Sequence, residues 1–355
     1  MTRAEGHGRA GPAPRARREE GGLTYADAGV DVDAGDRAVA MMRTAVEATH
    51  GPRVLGGLGG FAGLWSFDPG RWRDPVLASS ADGVGTKLLV AQALGQHDTV
   101  GLDLVAMVVD DLVVAGAEPL FLLDYLAVGR LAPERAATVV AGVAEGCRLA
   151  GCALLGGETA EHPDAMEPDA YDLAGFAVGV VERDGLLGPD RVRAGDVLLA
   201  MASTGLHANG FSLVRHALAR AGIGYERVLP ELGAPIGEVL LTPTRIYARD
   251  VLDLLASGVE VHALCHVTGG GLPGNLPRSL PPGLVAMVDW SSWEPPPIFR
   301  IVKDLGRVAD TEMARSTNLG VGMVGVLPAT RAARAIELLA ARGVEAWVMG
   351  EVAPA

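Results

Sequence analysis

Apolar runs and amphipathic stretches alternate along the chain, and the change of period between them predicts the elements. In the first half the pattern predicts strand 76–81, helix 84–94, helix 101–116, strand 119–128, helix 133–150, strand 152–155 and strand 172–182. Pro133 suits the first turn of its helix, and Asp36 is placed to cap a helix over 37–49. GGETAEHPDAMEP (156–168) reads as an acidic, irregular loop. The second half gives strand 196–202, helix 211–221, helix 243–257 with Thr242 as N-cap and Pro243 at its first position, strand 259–267 and strand 284–289. Two further helices, strand 319–327, helix 330–342 and strand 344–352 close the chain. Both halves mix strands with helices. The expected domains are 23–183 and 184–355, with the boundary inside RDGLLGPDRVRAGD (183–196), after an N-terminal tail of residues 1–22 expected to be disordered.

One helix departs from the amphipathic pattern. From Leu102 to Ala115 no Gly or Pro interrupts it, and apart from Asp103, Asp110 and Asp111 it carries only apolar side chains. A helix apolar almost all round is buried, and carboxylates on it must be paired, protonated or cation-bound. Asp103 and Asp110 are seven residues apart, hence on one face roughly 10 Å from each other, while Asp111 points about 100° away. The nearest basic residue in sequence is Lys87. One cation facing several carboxylates favours a divalent ion with oxygen ligands, such as Mg²⁺, over structural ion pairing.

Composition narrows the class. The 355 residues are 49% hydrophobic and 21% charged, the balance of a globular chain long enough for two domains. A net charge of −13 excludes a long-range basic footprint for nucleic acid and disfavours a membrane surface. Cys147, Cys152 and Cys265 form no CxxC pair and read as reduced core residues of a cytoplasmic protein. No apolar run reaches the roughly 18 residues that span a bilayer, and the first 22 residues lack the apolar core of a secretory signal.

Several loops carry candidate chemistry. ADGVGTKL (81–88) puts Asp82 and Gly83 at a strand-to-helix turn ahead of Lys87; it is not a Walker A motif, since Thr86 precedes the lysine. It reads either as a metal–phosphate turn or as an ordinary connection. GGLGGFAG (56–63) matches GxGxxA at Gly57, Gly59 and Ala62 but lacks the flanking strand and helix of a dinucleotide fold, so a flap closing over a ligand is the better reading. Glu158 in GGET is an oxygen ligand or a turn cap. STGLHANG (203–210) offers Ser203, Thr204, His207 and Asn209 to a phosphate or polar substrate, with His207 either an acid–base group or a structural histidine. TGGG (268–271) either binds phosphate through helix-end amides or simply turns the chain.

Nine segments in order, TYADAGVDVDAG, GGLGGFAG, ADGVGTKL, HDTVGLDLVAMVVDDLVVAGAEPLFLLDY, GGETAEHP, STGLHANGFSLVR, TPTRIY, HVTGGGLPGNLPR and NLGVGM, closely resemble phosphoribosylformylglycinamidine cyclo-ligases, the AIR synthetases. The likeness runs from about Thr24 to Val352. It implies an α/β (α+β) fold of two mixed domains, with the N-terminal sheet pairing across a homodimer into a β-barrel. It implies ATP- and Mg²⁺-dependent closure of formylglycinamidine ribonucleotide to aminoimidazole ribonucleotide. By the same resemblance Gly57, Gly59, Gly60, Asp82, Gly83, Lys87, Asp103, Asp110 and Asp111 handle ATP, and Asp82, Asp111 and Glu158 hold the metal. Glu158, Thr159, Ser203, His207, Asn209, Thr268, Gly269, Gly270 and Asn318 take the ribonucleotide, and Asp82, Lys87 and His207 serve the chemistry. The chain departs from the family at Ala26 (often Lys), Ala81 (usually Thr), Asp110 (commonly Asn) and Thr317, where the usual RTFN run reads Arg315-Ser316-Thr317-Asn318. A catalytically altered ATP-binding paralogue, or another ATP-dependent member of the superfamily, is the alternative.

Overall fold

The computed structural model describes residues 22–355, so the expected tail, Gly22 apart, lies outside the described residues. Helix α1 (Val32–Glu47) is followed by a small hairpin of β1 (Val54–Leu55) and β2 (Leu64–Trp65), with the glycine-rich loop at its tip. Then come β3 (Pro75–Gly83), α2 (Leu88–Leu94), α3 (Val100–Val114), β4 (Glu118–Val128), α4 (Pro133–Ala150), β5 (Ala153–Glu161) and β6 (Tyr171–Glu182). The second half runs β7 (Asp196–Ala202), α5 (Phe211–Ala221), α6 (Ile236–Leu240), α7 (Ala248–Ala256), β8 (Ala263–His266), α8 (Gly271–Asn275) and β9 (Leu284–Val288). It ends with α9 (Pro297–Gly306), α10 (Asp310–Ser316), β10 (Val321–Pro328), α11 (Ala332–Ala341) and β11 (Ala346–Pro354).

The first half builds a four-stranded sheet, ordered β3-β6-β4-β5, in which only β4 and β5 run parallel. One face of this sheet covers α3 and α4, whose close approach depends on small residues. An ideal Cβ on Gly101 would stand 2.2 Å from the Val143 nitrogen, and one on Gly142 would stand 2.4 Å from the Asp98 carbonyl oxygen. On the opposite face Trp65 of the hairpin packs on Phe121 (ring centroids 5.7 Å), while Leu77, Tyr125 and Phe176 are exposed and leave an apolar patch. The second half forms an antiparallel five-stranded sheet, ordered β8-β10-β7-β11-β9. Helix α3 is the shared wall: it packs on β3, β4 and β6 of its own sheet and on α7 and β8 of the other half. A continuous buried core therefore crosses both halves. Among the described residues no helix is long and apolar enough to cross a membrane.

Four expected elements are corrected, among them strand 259–267, of which β8 keeps only Ala263–His266. The first helix starts five residues before 37, at Val32, because Asp31 rather than Asp36 caps it, accepting from the Ala34 N–H at 3.0 Å. The acidic loop begins later than 156, since β5 continues through GGET to Glu161 in parallel register with β4. Finally, residues 242–247 are not helical, and α7 starts only at Ala248. Two backbone N–H groups of this segment donate to α3 carboxylates instead of to a helix of their own (Thr244 to Asp103 and Tyr247 to Asp110).

Candidate functional site

The buried carboxylates of α3 are held by Lys87 of their own half and by Thr244 and Tyr247 of the other half. Lys87, wholly buried, bonds Asp103 at 2.8 Å and the Thr242 carbonyl at 2.7 Å. Asp103 Oδ1 also accepts from the Thr244 N–H at 2.8 Å and its hydroxyl at 2.6 Å. Asp110 Oδ1 accepts from the Tyr247 N–H at 2.9 Å, and among the described residues Asp110 Oδ2 is buried without a partner. Burial pushes the Asp110 carboxyl up to about 7, against the opposing pull of His266 and the Tyr247 N–H. Lys87, expected to serve the triphosphate as a fixed positive charge, has its ammonium bonded to Asp103 and to the 242–247 segment. Asp103 Oδ1 carries that grip, and its Oδ2 is buried without a partner among the described residues.

Asp111 differs from its two neighbours. Its side chain is 46% exposed, and it meets His266 Nδ1 at 2.9 Å. Burial would lower the His266 pKa, yet the hydrogen bond to Asp111 and the charges of Asp110, Asp111 and Asp82 outweigh it, so the net direction is upward. Asp82, at the end of β3, thus acts on the same imidazole as Asp111. Asp111 and His266 line a cavity of about 210 Å³ together with Asn275, Arg278 and Ser279.

The substrate loops predicted from the sequence do converge. Ser203 donates to the Gly205 carbonyl at 2.7 Å, and Asn318 Nδ2 donates to the same oxygen at 3.0 Å, tying the 203–210 loop to the start of β10. Thr204 Oγ donates to the Pro243 carbonyl at 2.6 Å, which links this loop to the segment gripped by α3. His207 is buried at φ +59°, and its Nε2 accepts from the Thr204 N–H at 3.1 Å. Its proton is therefore assigned to Nδ1, which is buried and, among the described residues, unpartnered. Burial, with the charges of His266, Lys87 and Arg245, holds His207 well below the ordinary histidine pKa, so it is a neutral donor rather than an acid. Asn209 lies beside Gly269, whose ideal Cβ would be 3.5 Å from Asn209 Oδ1. Asn275 Nδ2 reaches the carbonyls of Thr268 and Gly269 at 3.4 and 3.3 Å, and an ideal Cβ on Gly270 would lie 3.7 Å from that nitrogen.

Glu158 stands elsewhere. With Thr159, Gly57, Gly59 and Gly60 it lines a cavity of about 670 Å³ between the glycine-rich loop, α1 and the β4–β5 edge. Arg43 of α1 fastens that loop through the Leu58 carbonyl at 3.2 Å, while Phe61 at its tip is fully exposed. Among the described residues no group of three or more His, Cys, Asp or Glu is placed to hold a metal ion. Of the residues expected to hold the metal, Asp82 and Asp111 both act on His266, while the strand order puts Glu158 on the far edge of the sheet from Asp82. Sequence reasoning passed over His266, Thr244 and Tyr247. A histidine closing an apolar run just before TGGG was the available signal for His266; nothing local marks the other two.

A sheet-and-helix half joined to an antiparallel half, with α3 between them and glycine-rich loops at the clefts, defines the class of AIR synthase related proteins. The family model for the AIR synthase related protein N-terminal domain matches residues 68–181, and that for the C-terminal domain matches residues 193–355. The chain belongs to the phosphoribosylformylglycinamidine cyclo-ligase family. It is 53% identical over 332 residues to the cyclo-ligase of Sorangium cellulosum, covering 93% of this chain and 95% of the relative. It is 51% identical over 332 residues to that of Magnetococcus marinus, covering 93% of each. Among solved structures, thiamine-monophosphate kinase from Stenotrophomonas maltophilia has a TM-score of 0.63 at 20% identity, covering 90% of this chain and 93% of that one. The hydrogenase maturation protein HypE in complex with ATP has a TM-score of 0.61 at 19% identity, covering 90% and 86%; these two likenesses concern the fold.

Proposed function

We infer that the chain closes the imidazole ring of formylglycinamidine ribonucleotide, giving 5-aminoimidazole ribonucleotide, ADP and phosphate, in de novo purine synthesis. The observation that carries this reading is near-full-length identity of about half to relatives bearing that one name. The chemistry needs activation, because a formamide carbonyl has no good leaving group. The formyl oxygen attacks the γ-phosphorus and ADP departs; the amidine nitrogen then adds to the imidate carbon, loses a proton, and the C–O bond breaks to release phosphate. Phosphoryl transfer of this kind depends on positioning and charge neutralisation.

The chain's residues suit that work. The loop 203–210, the 268–271 turn and Asn318 lie together and would offer polar groups to the ribonucleotide, and His207 Nδ1–H is a buried donor with no acceptor among the described residues. The His266–Asp111 pair can hold or pass a proton at Nδ1. The cavity beneath the glycine-rich loop supports a nucleotide site. Mg²⁺ is commonly held by one or two carboxylates plus substrate phosphates, a demand that Asp82 and Asp111 would meet without a three-residue cluster. We also propose that the open apolar face of the four-stranded sheet pairs with a second copy, making a cytoplasmic homodimer. The test is phosphate release from ATP that depends on formylglycinamidine ribonucleotide. We expect turnover in the native chain and its loss in Asp111→Ala with the fold retained; ATP cleavage indifferent to that substrate would sink the reading.

A further inference from the structure

The cavity under the glycine-rich loop, about 670 Å³, is of a size that takes small molecules. Its wall is mainly aliphatic, including Met42, Val46, Val140 and Leu154, and no Lys, Arg or His lines it among the described residues. A phosphate placed deep in it would be uncompensated, whereas a flat heterocycle would be well housed. One polar side chain is buried there. Asp124 of β4 is 8% exposed, and among the described residues its carboxyl bonds only its own backbone N–H. Burial pushes that carboxyl up to about 7. Gly157, opposite it in the β4–β5 register, leaves it room: an ideal Cβ there would stand 2.1 Å from Asp124 Oδ1. Of the other polar side chains in the lining, Glu158 is exposed and Thr159 half-buried.

A carboxyl sealed among aliphatic groups is costly unless a ligand supplies a hydrogen-bond partner. We propose that Asp124 reads the amino-bearing edge of the nucleotide's purine ring in this cavity, accepting a hydrogen bond from the exocyclic N–H of adenine. This rests on the ATP-dependent cyclo-ligase reading. The acceptor oxygen serves in either protonation state, and the protonated acid adds an O–H for ring N1.

The experiment compares ATP with purine riboside 5′-triphosphate, which lacks the amino group, in formylglycinamidine ribonucleotide-dependent phosphate release by the full chain. In the native enzyme the analogue should raise the nucleotide KM about ten- to a hundredfold, as for one hydrogen bond to a buried carboxyl. Asp124→Asn, which keeps an acceptor, should preserve the preference. Asp124→Leu should erase it by raising the KM for ATP to that of the analogue, with the KM for formylglycinamidine ribonucleotide unmoved. Equal KM values in the native enzyme overturn the assignment without recourse to any variant, as does a folded Asp124→Leu that still prefers ATP. Failure of native enzyme to use ATP at all would instead overturn the underlying function, and the assignment with it.

Discussion

At the level of single residues, the buried acids decide how the molecule answers to pH. In the unfolded chain Asp124 releases its proton near its ordinary value of 3.8; in the folded chain burial keeps it on until about 7. Between those values the unfolded state binds fewer protons, so stability falls as pH rises through that window. Asp124→Asn should therefore raise the urea midpoint near pH 8 and leave it unchanged near pH 4. The difference is bounded by about 4 kcal/mol, since each tenfold change in proton affinity corresponds to roughly 1.36 kcal/mol. A gain of equal size at both pH values would show that Asp124 is not held in its neutral form. Asp124, inside a strand, was passed over, whereas Asp103 and Asp110 were legible in the sequence as misfits on an apolar helix. Their partners were not, because Thr244 and Tyr247 lie 141 and 137 residues away and donate through backbone N–H groups that no side-chain pattern advertises.

Between elements, the decisive joint is α3 against the 242–247 segment. The periodicity of the sequence placed α3, α4, β7 and α5 to within a residue or two, because each has its own unbroken apolar pattern. It misjudged 242–247, where Thr-Pro imitates a helix start while the real contest is won by carboxylates from another element. Breaking the Lys87–Asp103 pair from one side leaves an uncompensated buried charge. We expect Lys87→Met to cost about 3–5 kcal/mol, and Lys87→Met with Asp103→Leu to recover much of that, as read by chemical unfolding. A strictly additive double variant would mean the two side chains do not act together. The α3–α4 contact makes a second test. Gly101→Ala forces a methyl into the Val143 backbone and should destabilise by about 1–3 kcal/mol or more, the usual penalty for overpacking; a neutral result would deny the close approach.

For the molecule as a whole, the open face of the first sheet is the outstanding feature. Strand pairing brings Phe176 beside Ala81 and Leu123, with Tyr125 and Leu77 on the same exposed side. Contiguous apolar surface of this kind marks an interaction site. Sedimentation equilibrium should find a dimer for the native chain and a monomer for Phe176→Asp with Leu77→Asp; a native monomer at micromolar concentration would remove the pairing from consideration. The family likeness made the two-half arrangement legible, but not how the ligand-bearing loops divide. Folding sends the glycine-rich loop and Glu158 to one cavity and His207, His266 and Asn318 to another region, a separation that a linear string of motifs does not convey.

The grip of α3 on Thr244 and Tyr247 bears on how such a chain tolerates recombination. A chimera that grafts the first half of this protein onto the second half of a relative must present peptide N–H groups at the same two places, or Asp103 and Asp110 are stranded. Crossovers near residue 190 should therefore yield soluble products only when the donor carries its own TPTRIY-like segment, however well the two sheets are individually preserved.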